Sequence, residues 1–229
     1  DLEPSDALSI QKNWKETLEG RQVAVLFDEG SSKSEIEALK IGPSTDRASE
    51  MGPLVTAQHL AKVRGYVDQG EKEGAKVVVD GRGFKAPQGY ENGYFIGGTL
   101  LDDVTADMSV WKEEIFGPVL SVVRAKNYQE AVDLVGQHEY GNGVAVFTRD
   151  GDSARAFAHD IEVGMVGVNV PIPVPVGAFS FGGWKNSLFG DSHIYGPESV
   201  HFYTRSKVVT TRWPDHTPAQ VDLGFPSNH

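Results

Sequence analysis

The sequence predicts an α/β protein, a largely parallel twisted sheet with helices on its faces. Two observations carry that expectation. Between Ala57 and Val170, short apolar runs alternate repeatedly with stretches whose apolar residues recur every three or four positions. Helical patterns, rather than tight two-residue turns, separate most of the strand-like runs, and a crossover helix is what parallel neighbours need.

Residues 1–35 are the least regular part, with a polar helical candidate at 10–19, a strand candidate at 23–27 and a loop at 28–34. No function attaches to them. A helix then ends at a Gly42-Pro43 stop, and Met51-Gly52-Pro53 restarts the chain. Thr56 is placed to cap a helix over 57–73, in which Leu60, Val63, Tyr66 and Val67 form an apolar stripe and after which Gly74 stops the turn. Residues 76–79 read as a short buried strand, 81–92 as a polar loop and 93–100 as a Gly-rich aromatic strand. A strand at 119–123 and a helix at 128–135, with Ala131, Leu134 and Val135 inward, come next. Tyr140-Gly141-Asn142-Gly143 turns into a strand at 144–147, Asp152 opens a helix to about residue 160, and residues 163–170 form a strand. Prolines 171, 173 and 175 stiffen the following loop by fixing their own φ and biasing their predecessors. Residues 195–200 are expected as a turn and short helix, and 202–213 as an exposed strand whose Arg205, Lys207 and Arg212 guard its edge. The polar, proline-bearing tail at 215–229 is expected to be loosely ordered.

Composition narrows the function. A net charge of −11 argues against nucleic acid or an anionic membrane as a partner, since either would repel the chain. No apolar run approaches the ~20 residues of a membrane span, so a soluble, cytoplasmic protein is expected. With no cysteine there is no disulfide, thiolate metal ligand or thiolate nucleophile. The seven histidines make no metal-binding spacing, and no metal is expected.

The most informative stretch is Lys112-Glu113-Glu114-Ile115-Phe116-Gly117-Pro118. Two adjacent carboxylates sit at a junction between strands, where like charges repel unless water or a partner relieves them. On these residues alone a solvated turn and a binding site both remain open.

The stretch Glu113 to Pro118 resembles the aldehyde dehydrogenase superfamily motif whose second Glu and Phe contact the nicotinamide ribose of NAD. Other matches follow in the family's order over residues 36–214. The run Gly93-Tyr94-Phe95 to Thr99 is similar to a family element, with Gly98 where proline is usual. Val166-Gly167-Val168-Asn169-Val170-Pro171 is similar to the methylmalonate-semialdehyde dehydrogenase branch, and Phe179-Ser180-Phe181-Gly182-Gly183-Trp184 continues the pattern.

The resemblance implies a catalytic α/β domain at 36–200, an oligomerisation strand at 201–214 and a tail at 215–229. It implies NAD as cofactor, with Glu114 and Phe116 holding the nicotinamide ribose and Lys62 approaching the adenosine ribose. Asn169, Phe179 and Phe181 would line the aldehyde pocket, on the same rim of strand C-termini as Glu114 and Phe116. Coenzyme A would release the acyl group, and the product would be an acyl-CoA of malonate or methylmalonate semialdehyde. The family's nucleophilic cysteine has no counterpart; Ser5-Asp6-Ala7-Leu8-Ser9 is a weak match to its Cys-Met-Ala-x-Ser run, and an unpartnered serine is a far poorer nucleophile. No catalytic residue is therefore assigned. The chain is expected to be inactive alone and to act as the C-terminal part of such an enzyme, as a homo-oligomer or with a separate N-terminal half. The alternative is a non-catalytic oligomerising or ligand-binding relative. The compartment implied is cytoplasmic, or the mitochondrial matrix in a eukaryote.

Overall fold

The computed structural model describes residues 29–211 and 213. The helix and strand expected at 10–19 and 23–27, the Ser5 run, Arg212 and the tail at 215–229 lie outside the described residues.

Helix α1, Glu29–Ala38, corrects the expectation of a loop reaching Ser34. Its polar sequence has no apolar periodicity. Ile36 is instead buried against Leu100, Leu120 and Val122, and tertiary packing overrides weak local preference. The helix ends before Gly42-Pro43, and Ile41 makes an isolated parallel bridge to Met51.

Helix α2, Ala57–Glu73, forms as its caps dictate. The Thr56 hydroxyl accepts the His59 N–H at 3.0 Å, and Gly74 stops the helix at φ 110°. Val63 and Val67 are buried on its inner face, and Gly70 lets it approach closely, since a Cβ there would lie 3.0 Å from Val110.

Strands β1 (Lys76–Val79), β2 (Thr99–Asp102) and β3 (Val119–Ser121) make one sheet in that order. Period-two alternation divides its apolar residues between two helices. Leu101 and Val119 join Val63 and Val67 under α2, whereas Leu100 and Leu120 join Ile36 under α1. Burying each such side chain is worth about 1.5–3 kcal/mol. The short helix α3, Ser109–Lys112, brings Val110 and Trp111 into the α2 core.

Further along, helix α4 (Tyr128–Gln137) is capped by Asn127 and helix α5 (Gly151–Asp160) by Asp150 rather than Asp152. Both flank a parallel pair, β5 (Gly143–Val146) and β6 (Met165–Val168). Val132, Phe157, Ile161 and Val163 form the core there; Val132 is the deepest residue of α4, outside the predicted stripe. A two-residue pair, β4 (Tyr140–Gly141) with β7 (Trp184–Lys185), helix α6 (Gly196–Tyr203) and a short 3-10 turn at Gly81–Gly83 complete the described elements.

The α/β class stands, but the single, largely parallel sheet is corrected to three small sheets. β1–β2 and β4–β7 are antiparallel, and β2–β3 and β5–β6 parallel. The strand expected at 93–100 begins only at Thr99. Its glycines serve close approach instead: a Cβ on Gly97 would lie 2.9 Å from the Gly81 Cα, and one on Gly98 2.7 Å from Ile36. The strand expected at 202–213 is corrected as well. Phe202 and Tyr203 belong to α6, and no ladder among the described residues includes 204–211, because a strand exists only against a paired neighbour.

Candidate functional site

The segment from Ser109 to Gly117 runs antiparallel along one stripe of α2. His59, Lys62, Tyr66, Gln69 and Glu73 recur there at steps of three and four, so a single face presents them all. At one end Glu73 accepts from the Ser109 N–H at 2.7 Å and its hydroxyl at 2.9 Å. Midway the Tyr66 hydroxyl donates to Glu113 at 2.5 Å, and that bond, with partial burial and the carboxylate charge, pushes the phenol up to about 12. At the other end His59 Nε2 lies 2.5 Å from the Phe116 carbonyl oxygen, an acceptor, which places the ring proton on Nε2.

These ties hold an unusual backbone. Phe116 sits at φ 56°, a left-handed conformation costing a non-glycine residue about 1–2 kcal/mol, and its ring remains 58% exposed. Gly117 follows so tightly against α2 that a Cβ would be 2.6 Å from Val63. Glu114 is exposed as a residue, yet partial burial pushes its carboxyl above the usual range while the Lys62 charge opposes the shift. Lys62 itself stands 5.5 Å from the Tyr66 ring centroid. Lys62, Gly65, Tyr66, Gln69, Glu73 and Glu113 line an open cleft of about 410 Å³ beside this segment.

The other expected residues lie on different elements. Asn169, just past β6, takes φ 56°, which Asn tolerates better than most residues. Its side chain is tied to Thr148 by two bonds: Oδ1 accepts the Thr148 N–H at 2.9 Å, and Nδ2 donates to the Thr148 carbonyl at 3.0 Å. Phe181 exchanges backbone hydrogen bonds of 2.8 and 3.0 Å with Ile194, and its ring lies 5.7 Å from Tyr195. Phe179 is exposed. Beside them Ser180 and His193 Nδ1 are 2.6 Å apart.

The structure thus gathers Lys62, Glu114 and Phe116 along α2 and holds Phe181 against Ile194 and Tyr195, while Phe179 stays exposed. No hydrogen bond, ion pair or ring contact among the described residues joins Glu114 or Phe116 directly to Asn169, Phe179 or Phe181. The shared rim of strand C-termini is corrected too. Glu114 and Phe116 precede β3 and lie at its N-terminal end, where the Pro118 carbonyl accepts the Thr99 N–H at 2.8 Å, whereas Asn169 follows β6. His59 and Tyr66 were not legible as site residues, because His59 lies among polar residues that ordinarily face water and Tyr66 reads as part of the apolar stripe. Among the described residues no group of three or more His, Asp or Glu is placed to hold a metal ion, and no helix is long and apolar enough to cross a membrane.

A family model described as "Aldehyde dehydrogenase family" matches residues 30–209, more than half of the chain. The chain belongs to the aldehyde dehydrogenase family. Within that family it is 58% identical over 194 residues to the malonate-semialdehyde dehydrogenase of Pseudomonas aeruginosa, covering 84% of this chain and 39% of that protein. A Sinorhizobium meliloti protein, described as a methylmalonate-semialdehyde dehydrogenase and solved with NAD, superposes at a TM-score of 0.84 with 52% identity. That match covers 92% of this chain and 46% of the other. The methylmalonate-semialdehyde dehydrogenase of Oceanimonas doudoroffii gives a TM-score of 0.80 at 50% identity, over 90% and 46% of the two chains. The chain therefore spans less than half the length of these aldehyde dehydrogenase relatives.

Proposed function

We propose that this chain is the C-terminal, catalytic-domain part of a coenzyme A-acylating malonate- or methylmalonate-semialdehyde dehydrogenase that uses NAD. The similarity to malonate- and methylmalonate-semialdehyde dehydrogenases supports the substrate class. The observation that carries the cofactor reading is the loop from Glu114 to Phe116. Among the described residues no protein donor binds the Glu114 carboxylate, and the Phe116 ring is exposed at a fixed backbone angle beside it. A carboxylate free to accept and an exposed ring face fit a ribose, whose hydroxyls donate and whose carbon skeleton is apolar.

In this reading Glu114 accepts from the ribose hydroxyls, Phe116 limits how the sugar sits, and Lys62 supplies positive charge toward the adenosine side. NAD, when bound, supplies the hydride acceptor. His59 and Tyr66 keep the loop in place. Asn169 holds the end of β6, and Phe179 and Phe181 form an apolar wall for the aldehyde. The 229 residues contain no cysteine, so aldehyde addition and acyl transfer to coenzyme A require a nucleophile supplied by another segment or chain. The place of action would be the cytoplasm, or the mitochondrial matrix in a eukaryote.

The test combines the chain with a separately produced, cysteine-containing N-terminal half of a malonate-semialdehyde dehydrogenase. NADH formation from malonate semialdehyde and coenzyme A is expected only in the mixture, and Glu114→Ala should reduce it at least tenfold. Turnover by the chain alone, or turnover indifferent to Glu114→Ala, would overturn the reading. A second reading, a non-catalytic module acting through association, is favoured by one observation: Val208, Val209 and Trp213 are all exposed. An inactive mixture in which the halves still associate would select it.

A further inference from the structure

Among the described residues no hydrogen bond, ion pair or ring contact joins the two groups of candidate side chains, yet one histidine touches the elements that carry both. His138 sits at the C-terminal cap of α4, half-buried. Its Nδ1 accepts the Tyr140 N–H at 3.1 Å, and its Nε2 lies 3.2 Å from the Trp111 carbonyl oxygen. An amide can only donate and a carbonyl can only accept, so the ring carries a single proton, on Nε2. Trp111 lies in α3, whose last carbonyls lack partners within so short a helix, and His138 satisfies one of them. The ring also stands edge-on to the Trp111 indole at 5.6 Å. Two residues after Trp111 comes Glu113, then Glu114.

On its other side the same turn is fastened to the segment that follows Phe181. Lys185 Nζ donates to the carbonyls of Gly136 at 2.6 Å and of His138 at 3.2 Å. Tyr140 pairs with Lys185 and Gly141 with Trp184. Asn186 adds a backbone bond to Glu139 at 3.2 Å and a side-chain bond at 3.0 Å, and the Ser187 hydroxyl accepts the Gly141 N–H at 3.1 Å. Displacing the 184–187 strip therefore moves the 138–141 turn, and the His138 ring transmits that movement to the end of α3.

We propose that His138 is a positioning residue that couples the segment bearing Phe179 and Phe181 to the loop bearing Glu114 and Phe116. Its importance for catalysis rests on the function proposed above, but the mechanical coupling stands on the contacts alone. Through it, occupation of the aldehyde side would set the geometry of the nucleotide side, with no shared contact required.

The test is amide hydrogen exchange of the full 229-residue chain, without nucleotide, read at Glu113, whose N–H closes α3 on the Ser109 carbonyl at 2.9 Å, and at Asn186. His138→Phe, which keeps the ring stack and removes the donor, should speed exchange at Glu113 roughly fivefold, the weight of one net hydrogen bond. His138→Gln, whose amide can still donate to Trp111, should restore most of the protection. Lys185→Met, which frees the Gly136 and His138 carbonyls, should speed exchange at Glu113 when His138 is present and have no such effect in the His138→Phe background. Unchanged exchange at Glu113 in His138→Phe, failure of Gln to rescue, or equal Lys185→Met effects in both backgrounds would each overturn the coupling. Should His138→Phe not fold, Lys185→Met in the otherwise unchanged chain decides alone: loss of Glu113 protection supports the coupling, and its absence overturns it. Because no nucleotide is present, failure of NAD to bind bears on the proposed function and leaves this result intact.

Discussion

Tyr66 and Asp102 show how single side chains set the chemistry around the site. The Tyr66 phenol is raised to about 12 by its bond to Glu113, by burial and by the carboxylate charge. Since the folded value exceeds the unfolded one, this stabilisation is fully present below about pH 10 and is lost as pH rises through about 12. Spectrophotometric titration of the tyrosines should therefore show one late phase that disappears in Tyr66→Phe, and the variant should lose about 1 kcal/mol at neutral pH, because the bond lies near solvent. Asp102 is a different case: burial alone would push its carboxyl up, but Arg124, at 3.0 and 2.5 Å, and the Asp103 N–H outweigh burial and hold it below the usual range. Its contribution is present above the unfolded value and fades as pH falls through the depressed folded one. Asp102 is only 2% exposed, so Arg124→Leu leaves a buried carboxylate with a weaker set of partners. A loss of about 2–3 kcal/mol in urea unfolding is expected, discounted for the half-exposed guanidinium. A loss that shrinks as pH is lowered would confirm the carboxylate as its source.

Among the elements, α2 organises the candidate site, and two glycines at its surface give opposite expectations. Nothing lies within 4 Å of a Cβ on Gly65, so Gly65→Ala should raise stability by about 0.5–1 kcal/mol through helix preference alone. A Cβ on Gly117 would overlap Val63, so Gly117→Ala should cost about 1–3 kcal/mol and displace Phe116. Thermal unfolding distinguishes the two, and equal effects would refute the close packing of the loop on α2. The caps and stripe of α2 were readable from Thr56, Gly74 and the spacing of Val63 and Val67, because each acts locally. Helix α1 was not, since the apolar contact that seats it, Ile36 against Leu100, Leu120 and Val122, joins a serine-rich segment to residues distant in sequence. Nor was the short β2, because the glycines before it are explained by neighbours distant in sequence, Gly81 and Ile36, and not by the ladder.

At the scale of the whole molecule, the motif from Glu113 to Pro118 identified the loop and the family, but not the partners that hold it. His59, Tyr66 and His138 act across 57, 47 and 27 positions of sequence, distances at which residue spacing carries no signal. The same limit explains the C-terminal segment. Alternating apolar and basic residues predicted a strand, and the pattern is real, but a strand needs a neighbouring backbone, and none of the described residues pairs with this segment. Val208, Val209 and Trp213 are 91%, 71% and 89% exposed, on a segment whose backbone groups enter no ladder among the described residues. Apolar surface and open backbone donors together favour pairing with a second copy or with a separate N-terminal half. Arg205 and Lys207 limit indiscriminate pairing by repulsion. Light scattering of the purified chain is expected to show a dimer or larger species whose mass falls toward the monomer on dilution. Val208→Lys with Val209→Lys should shift that equilibrium to the monomer by at least tenfold in dissociation constant, since two valines that pairing would bury are replaced by like charges. A wild-type chain that stays monomeric at high concentration tells against the interface, and an unchanged oligomer in the double variant places it on another surface.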